Sequence, residues 1–483
     1  MNFKIILRSL GTLLVYEAVS MLPSLLVSVL YREPSAAAFV YSIIILLAVG
    51  LPLVFIKPSV RNFFARDGFA IVAMGWVLVS FFGALPAFIS GDIPSLADSF
   101  FESVSGFTTT GVSFLTDIES LPKGIIFWRS STIWIGGMGV LMLTIAILPM
   151  IGAKSFHIMK AESPGPNPGK LVPKIGQTAK ILYGIYIGIT LVEVLLLLLA
   201  GLPLYDSLIH AFGTASTGGF SNMNASVGSY NNVAVEVIIT VFMLIFGTNF
   251  ALHYQALKGN IKSYLKNEEF RLYIGLTVVS VILVAVNING SVFNNIWESV
   301  RHSTFQVASI ITTTGYFTQN FDMWPVFSKV ILITLMFIGG CASSTGGGIK
   351  SIRVLLLIKT MKRELIRIIH PRAVHTIKIE GKVVEEETLT GILSFFFMYI
   401  FIFVIAVLIV SIDGNDVTTT VTSVIASIGN SGLGLAAVGP MGNFAGMSII
   451  SKLVLSMCMI IGRLEIYPIL LLMLPSFWKR VNI

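Results

Sequence analysis

Four stretches of this 483-residue chain set hydroxyl side chains and glycine in one order. They read TTTGVS at 108–113, STGGFS at 216–221, TTTGYF at 312–317 and GNSGLG at 429–434. Glycine admits backbone conformations closed to other residues, so a short run ending in glycine can turn successive carbonyl oxygens to one side. A ring of such carbonyls replaces the hydration shell of a cation. The candidate ligands are Thr109, Thr110 and Gly111; Thr217, Gly218 and Gly219; Thr313, Thr314 and Gly315; and Asn430, Ser431 and Gly432.

Each run closes a longer block. The blocks DSFFESVSGFTTTGVS (98–113), DSLIHAFGTASTGGFS (206–221), HSTFQVASIITTTGYF (302–317) and TTVTSVIASIGNSGLG (419–434) align without a gap, with Gly111, Gly219, Gly315 and Gly432 in register. About ten residues before each run are compatible with helix, too few to cross a bilayer. A second glycine follows each block, at Gly136, Gly247, Gly339 and Gly462, which lie 25, 28, 24 and 30 residues after the first. The pattern predicts four copies of helix, re-entrant loop, helix around a pseudo-fourfold axis, preceded by an extra helix pair. Irregular backbone at membrane depth is tolerated only where protein shields it or it lines a watery cavity. Each short helix would aim its partly negative C-terminus at the shared centre, which favours a cation. The fourth copy departs most from the pattern, having neither TTG nor STG.

The rest of the chain supplies the membrane. It is 55% hydrophobic and 12% charged, with mean hydropathy +0.88. Apolar runs predict an all-α polytopic protein with ten crossings near 5–30, 37–56, 68–89, 130–151, 181–204, 233–257, 272–288, 326–358, 389–412 and 448–474. The first run lacks the short apolar region and cleavage site of a secretory signal. The units expected are an N-terminal pair at 1–67 and pore repeats at 68–153, 154–260, 261–372 and 373–483. Cys341 and Cys458 fall within apolar helices, so neither a disulfide nor a metal site is expected.

A net charge of +8 raises nucleic acid as a partner, but the positions of the charges exclude it. Connections 57–67, 154–180, 258–271, 350–388 and 475–483 hold 23 of the 32 Lys and Arg residues. The alternate connections hold 2, against 10 Asp and Glu. This asymmetry predicts cytoplasmic termini and an acidic outer face that concentrates cations.

Two further features stand out. Residues 338–351 read IGGCASSTGGGIKS, inside a segment of 33 residues, about 50 Å as continuous helix. Three consecutive glycines, Gly346 to Gly348, argue instead for two half-helices joined by an intramembrane loop. Arg463 follows Gly462, where the aligned residues are the small Gly137, Thr248 and Gly340. An intramembrane arginine is costly and points to function: here an electrostatic barrier, with an ion pair to Glu236 or Glu193 as the structural alternative. Glu17, Glu193, Glu236, Asn249 and His253 are read as packing partners, and Lys329 and Lys452 as snorkelling to the interface.

On these blocks, the N-terminal pair, the glycine loop and Arg463, the chain resembles the Trk/Ktr/HKT superfamily of potassium transporters over its whole length. The resemblance is closest to the TrkH/TrkG branch. It implies potassium uptake through a central pore in the bacterial plasma membrane, with K⁺ as the transported ion and no organic cofactor. It implies a gate formed by the loop (Ser343, Ser344, Thr345, Gly346, Gly347, Gly348 and Lys350) together with pore-lining Arg463. It also implies a homodimer, and a separate cytosolic nucleotide-binding TrkA-like ring for which 154–180 and 350–388 offer surfaces. Those basic connections equally suit anionic membrane lipid. Sodium permeation or Na⁺/H⁺ coupling is the runner-up. Sodium-selective relatives tend to carry serine at the first filter glycine, where this chain has Gly111, and carriers commonly show inverted repeats. The lack of HExxH, GxSxG and paired intramembrane Asp motifs argues against an enzyme, and the lack of GxGxxG and Walker motifs against nucleotide binding by this chain.

Overall fold

The computed structural model describes residues 1–57, 65–139, 175–372 and 375–478. The chain opens with α1 (Phe3–Ser20) and α2 (Leu22–Leu30), which form one span, followed by α3 (Ser35–Val54) packed along α1. Gly11 and Gly50 allow that close approach: a Cβ on Gly50 would lie 3.1 Å from Gly11 O. Next come α4 (Ala65–Gly83) and α5 (Leu85–Ile89), the short α6 (Leu96–Phe107) and α7 (Lys123–Gly137). After them follow α8 (Ile175–Leu199), α9 (Leu204–Ala215), α10 (Val233–Phe246), α11 (Phe250–Leu257) and α12 (Lys262–Lys266). The third set is α13 (Glu268–Ile288), α14 (Ile296–Ile311), α15 (Val326–Ile338) and α16 (Ser351–Ile369). The last is α17 (Glu386–Val410), α18 (Val417–Ile428), α19 (Ile449–Arg463), α20 (Tyr467–Met473) and α21 (Pro475–Trp478).

Among the described residues six helices are long and apolar enough to cross a membrane, or eight if each bent pair counts as one span. These fall on eight of the ten expected crossings. The pair α10–α11 bends by 98° and α19–α20 by 120°. Segment 326–358 is interrupted from Gly339 to Lys350. The crossing expected at 130–151 begins earlier, at Lys123, and beyond 139 lies outside the described residues, as do most of 154–180 and of 475–483. The fold is also not purely helical, because β1 (Lys378–Ile379) and β2 (Lys382–Val383) form a small antiparallel hairpin. The α19–α20 bend has a local cause: Glu465 and Ile466 take left-handed conformations (φ 55 and 71), and Pro468 starts the new helix.

Large apolar side chains stay exposed on the outer helix faces, such as Val278, Val279, Ile282 and Val286 on α13. A soluble monomer rarely shows so continuous an apolar face. The short helices α6, α9, α14 and α18 lie inside, buried over nearly every residue of their second halves. Their starts are fixed by caps where the sequence supplies them: Ser95 accepts from Asp98 N (3.3 Å), Asn295 from Trp297 N (3.0 Å) and Asp416 from Thr419 N (3.0 Å).

Candidate functional site: four helix ends above an intramembrane loop

The four short helices end in the same way. The amide of Thr110 bonds Ser105 O (2.9 Å), Gly218 bonds Gly213 O (2.9 Å), Thr314 bonds Ser309 O (2.8 Å) and Ser431 bonds Ala426 O (2.9 Å). A second bond, closing a smaller ring three residues back, accompanies each, from Thr109 N to Gly106 O, Thr217 N to Thr214 O, Thr313 N to Ile310 O and Asn430 N to Ser427 O. This is the Schellman C-cap, whose left-handed residue is usually glycine. Here it is Thr109 (φ 55), Thr217 (53), Thr313 (61) and Asn430 (50). A β-branched residue in that region is an outlier, and such strain costs about 1–3 kcal/mol each. Three threonines hold it at one aligned position. The fourth copy conforms because asparagine tolerates the left-handed region.

Two residues on, Gly111 (φ 82), Gly219 (67), Gly315 (86) and Gly432 (81) are left-handed again. Conformation of one hand thus recurs at alternate residues of each run, which lets carbonyls share a direction. The runs touch in cyclic order. A Cβ on Gly111 would collide with Gly218 O, and one on Gly219 with Thr314 O. One on Gly315 would lie 2.8 Å from Ser431 O, and one on Gly432 2.8 Å from Thr110 O. The four glycines open onto one cavity of about 240 Å³ that also touches Ser113, Ser221 and Arg129.

Hydroxyls brace the runs from behind. Ser105 Oγ donates to Val112 O and Ser309 Oγ to Tyr316 O, both at 2.6 Å. The second block has Gly213 at that position, and the Tyr316 hydroxyl enters the space, donating to Phe220 O at 3.1 Å. Glu102 and Arg129 form a buried pair at 2.5 Å. Glu102 also accepts from Ser113 Oγ (3.0 Å), and Arg129 donates to Ser221 O (3.2 Å) with its guanidinium 3.5 Å from the Phe220 ring centre. One ion pair therefore ties the first block to the second. Sequence reading missed it; the signal was a lone acid and a lone base in FFESV and FWRSS. Lys452 is likewise buried and bonds Asp98 at 2.6 Å rather than snorkelling. Farther out, the Asn224 amide beside Asp117 (2.9 Å) holds that carboxyl below its usual range, so it stays charged in mild acid.

The loop from Gly339 to Lys350 lies directly against the runs. Gly347 N donates to Thr313 Oγ1 (2.7 Å), and Thr217 Oγ1 meets Thr345 Oγ1 (3.3 Å). A Cβ on Gly346 would lie 2.9 Å from Thr312 O, so glycine permits this approach. The other loop residues fold back on the loop or onto neighbours. Ser344 Oγ donates to Cys341 O (2.6 Å), Lys350 Nζ to Gly346 O, and Ser343 O accepts from Phe250 N (3.1 Å). Gly348 (φ 75) needs its left-handed backbone. Cys341 N bonds Gly247 O (2.9 Å), entering the break between α10 and α11.

Buried Glu269 was not singled out in the sequence. Its Oε1 accepts from both Ala342 N (2.5 Å) and Ile352 N (3.1 Å), joining the two ends of the loop. Arg463 reaches the loop from the other side, donating to Thr345 O (2.9 Å), Gly136 O (2.7 Å) and Gly137 O (3.1 Å). Neither proposed carboxylate partner, Glu236 or Glu193, is in that set of acceptors, and Glu236 pairs instead with Arg301 (3.2 Å).

The second glycine register needs one correction. Cβ atoms on Gly136 and Gly462 would both collide with the last carbonyl of their own short helix, Phe107 O and Ile428 O. Gly247 instead matches Gly137: Cβ atoms there would meet the aligned Thr312 and Ser216 of the following block, at 2.7 and 2.8 Å. The counterpart of Arg463 in the second repeat is thus Gly247, not Thr248.

The TrkH family model, described as cation transport protein, matches residues 35–480. The Trk system potassium uptake protein TrkH of Salmonella typhimurium is 39% identical, covering 99% of this chain and 100% of its own. The corresponding protein TrkG of Escherichia coli is 34% identical over 99% of both chains. The crystal structure of the potassium transporter TrkH from Vibrio parahaemolyticus superimposes with a TM-score of 0.89 at 36% identity, covering 99% of this chain and 100% of that one. Matched from end to end in sequence and in fold, the chain belongs to the TrkH family of cation transport proteins.

Proposed function

We propose that the chain takes up potassium ions across the bacterial plasma membrane through a pore framed by its four repeats, at 68–153, 154–260, 261–372 and 373–483. The backbone oxygens of Thr109–Gly111, Thr217–Gly219, Thr313–Gly315 and Asn430–Gly432 form the filter. The observation carrying this reading is the left-handed pair of positions recurring at one register in four runs that touch in a closed cycle. Buried Thr109 Oγ1 and Ser431 Oγ bond no protein group among the described residues, which suits a wet, ion-bearing path. The loop Ser343–Lys350 and Arg463 obstruct that path from below. The family relationship favours a homodimer and a TrkA-like cytosolic partner, and the charge asymmetry favours cytoplasmic termini. No nucleic acid, organic cofactor or enzymatic step enters the reading.

The test is Rb⁺ uptake into proteoliposomes against competing K⁺ or Na⁺. Gly111→Ser should lower K⁺ over Na⁺ discrimination several-fold, because its Cβ displaces Gly218 O and its φ of 82 disfavours any side chain. A folded, conducting Gly111→Ser protein with unchanged selectivity would overturn the filter assignment.

Glu269 gives a second test. Glu269→Ala leaves two buried amides without an acceptor, at about 1–3 kcal/mol each if the loop stays in place. Freeing both loop ends should raise basal flux with selectivity kept, whereas Glu269→Gln retains an acceptor and should stay near wild type. Equal flux in all three proteins would remove Glu269 from the gate.

A further inference from the structure

A cavity of about 1040 Å³ lies away from the filter, between α8, the bent pair α10–α11, α12 and the start of α13. We propose that it binds the acyl chain of an anionic phospholipid whose headgroup rests on Lys180, Lys258 and Lys262.

The interior asks for an apolar occupant. Its wall is mainly aliphatic and aromatic, including Ile181, Ile185, Leu244, Ile245 and Phe270. The polar side chains on the wall are already satisfied. His253 bonds Tyr264 Oη (2.7 Å) and Ile245 O (3.0 Å), and Thr248 Oγ1 donates to Leu244 O (2.8 Å). A polar ligand would find nothing to bond there. Room along α8 comes from Gly184 and Gly188, where an added Cβ would meet nothing within 4 Å. Along that helix the wall runs from Ile181 to Val192, about 16 Å at 1.5 Å per residue. That is about half of a ~30 Å hydrocarbon core, the depth of one leaflet.

The rim supplies the sign of the headgroup. Lys180, Lys258 and Lys262 are exposed, and each is next in sequence to a wall residue: Ile181, Leu257 and Ile261. Neither 175–192 nor 250–267 contains an Asp or Glu. Of the nearest acids in sequence, Glu268 pairs with Lys359, Glu269 holds the loop amides, and Glu193 is fully buried one residue past Val192, at the end of the α8 wall far from Lys180. Leu257, Ile261 and Leu265 are 74%, 70% and 74% exposed beside Lys258, Lys262 and Lys266. Alternating apolar and basic positions one helical turn apart are the mark of a segment lying in the membrane interface.

The site has a mechanical consequence. Leu244, Ile245 and Thr248 line the cavity at the α10–α11 break, whose Gly247 O and Phe250 N hold the intramembrane loop. An acyl chain there props the break. This consequence for flux rests on the gate reading, whereas binding itself does not.

Native mass spectrometry of the full-length, delipidated protein tests the site, titrated with phosphatidylglycerol or phosphatidylcholine of equal chain length. Phosphatidylglycerol should be retained at about tenfold lower concentration, from the attraction of the rim lysines. The double variant Lys258→Gln/Lys262→Gln should lose that preference. Gly188→Leu, which enters open space, should weaken both lipids without lowering the melting temperature. Equal retention of both lipids by wild type would overturn the proposal, as would Gly188→Leu binding phosphatidylglycerol normally. Retention of neither lipid would also overturn it, and would give the space to a second copy if Gly188→Leu changes the oligomeric mass.

Discussion

Replacing Arg463 by alanine is expected to raise potassium flux about tenfold or more while leaving discrimination against sodium nearly intact. At an effective dielectric near 20, a unit charge about 5 Å from a passing cation opposes it by about 3 kcal/mol. Water in the path reduces that to about 1–2 kcal/mol, still about five- to thirtyfold in ion occupancy. Removing the side chain also releases Thr345 O, one of the ties that hold the loop against the four runs. Both effects act in the same direction. The two can be separated: Arg463→Lys keeps the charge and loses the guanidinium fork, so it should recover the barrier but not the full tether. Flux and thermal unfolding are measured on the same purified proteins. A stable Arg463→Ala protein with wild-type flux would sink the barrier. With selection proposed to lie above, in the backbone of the four runs, a large loss of selectivity would mean that Arg463 shapes the proposed filter itself.

Glu102→Ala should be the most destabilising of these changes. It leaves Arg129 buried with its cation unpaired, and breaking such a pair costs about 3–5 kcal/mol. It also removes the acceptor of Ser113 Oγ and leaves positive charge on the 240 Å³ cavity onto which the four glycines open, so potassium flux should fall with stability. The double variant Glu102→Met/Arg129→Leu tests what the pair is for. Apolar replacement of both partners restores much of the stability, but the tie between Ser113 and Ser221 O is gone. Selectivity should therefore stay impaired in a protein that melts near wild type. A Glu102→Ala protein melting within about 1 kcal/mol of wild type would show that Arg129 finds water or another acceptor.

How much of this was legible beforehand depends on the range of each interaction. The four runs were visible in the sequence because a helix C-cap is local: its bonds span three to five residues, as from Thr110 N to Ser105 O. Short helices, left-handed positions and glycines therefore recur at fixed spacing wherever the motif recurs. The broken segment before Lys350 was legible for a similar reason, since three consecutive glycines disfavour helix locally. Charge asymmetry likewise needs only composition between apolar runs.

What the tertiary structure alone decided are contacts between distant parts of the chain. Arg129 lies 27 residues from Glu102, Lys452 lies 354 from Asp98, and Ala342 lies 73 from Glu269. A buried charge announces that it needs a partner but not which one, so Lys452 was misread and Glu236 was offered to Arg463. Tyr316 filling the space above Gly213 is the same kind of fact, since its hydroxyl replaces a serine that the second repeat lacks. The bend after Arg463 was only partly legible: Pro468 disfavours helix just before it, but the left-handed Glu465 and Ile466 are set by the packed surroundings and the Arg353 pair. Local hydrogen bonding and glycine spacing thus wrote the repeats into the sequence. Pairing among buried charges had to await the fold, because only packing decides which charge lies within reach in a medium that punishes being left alone.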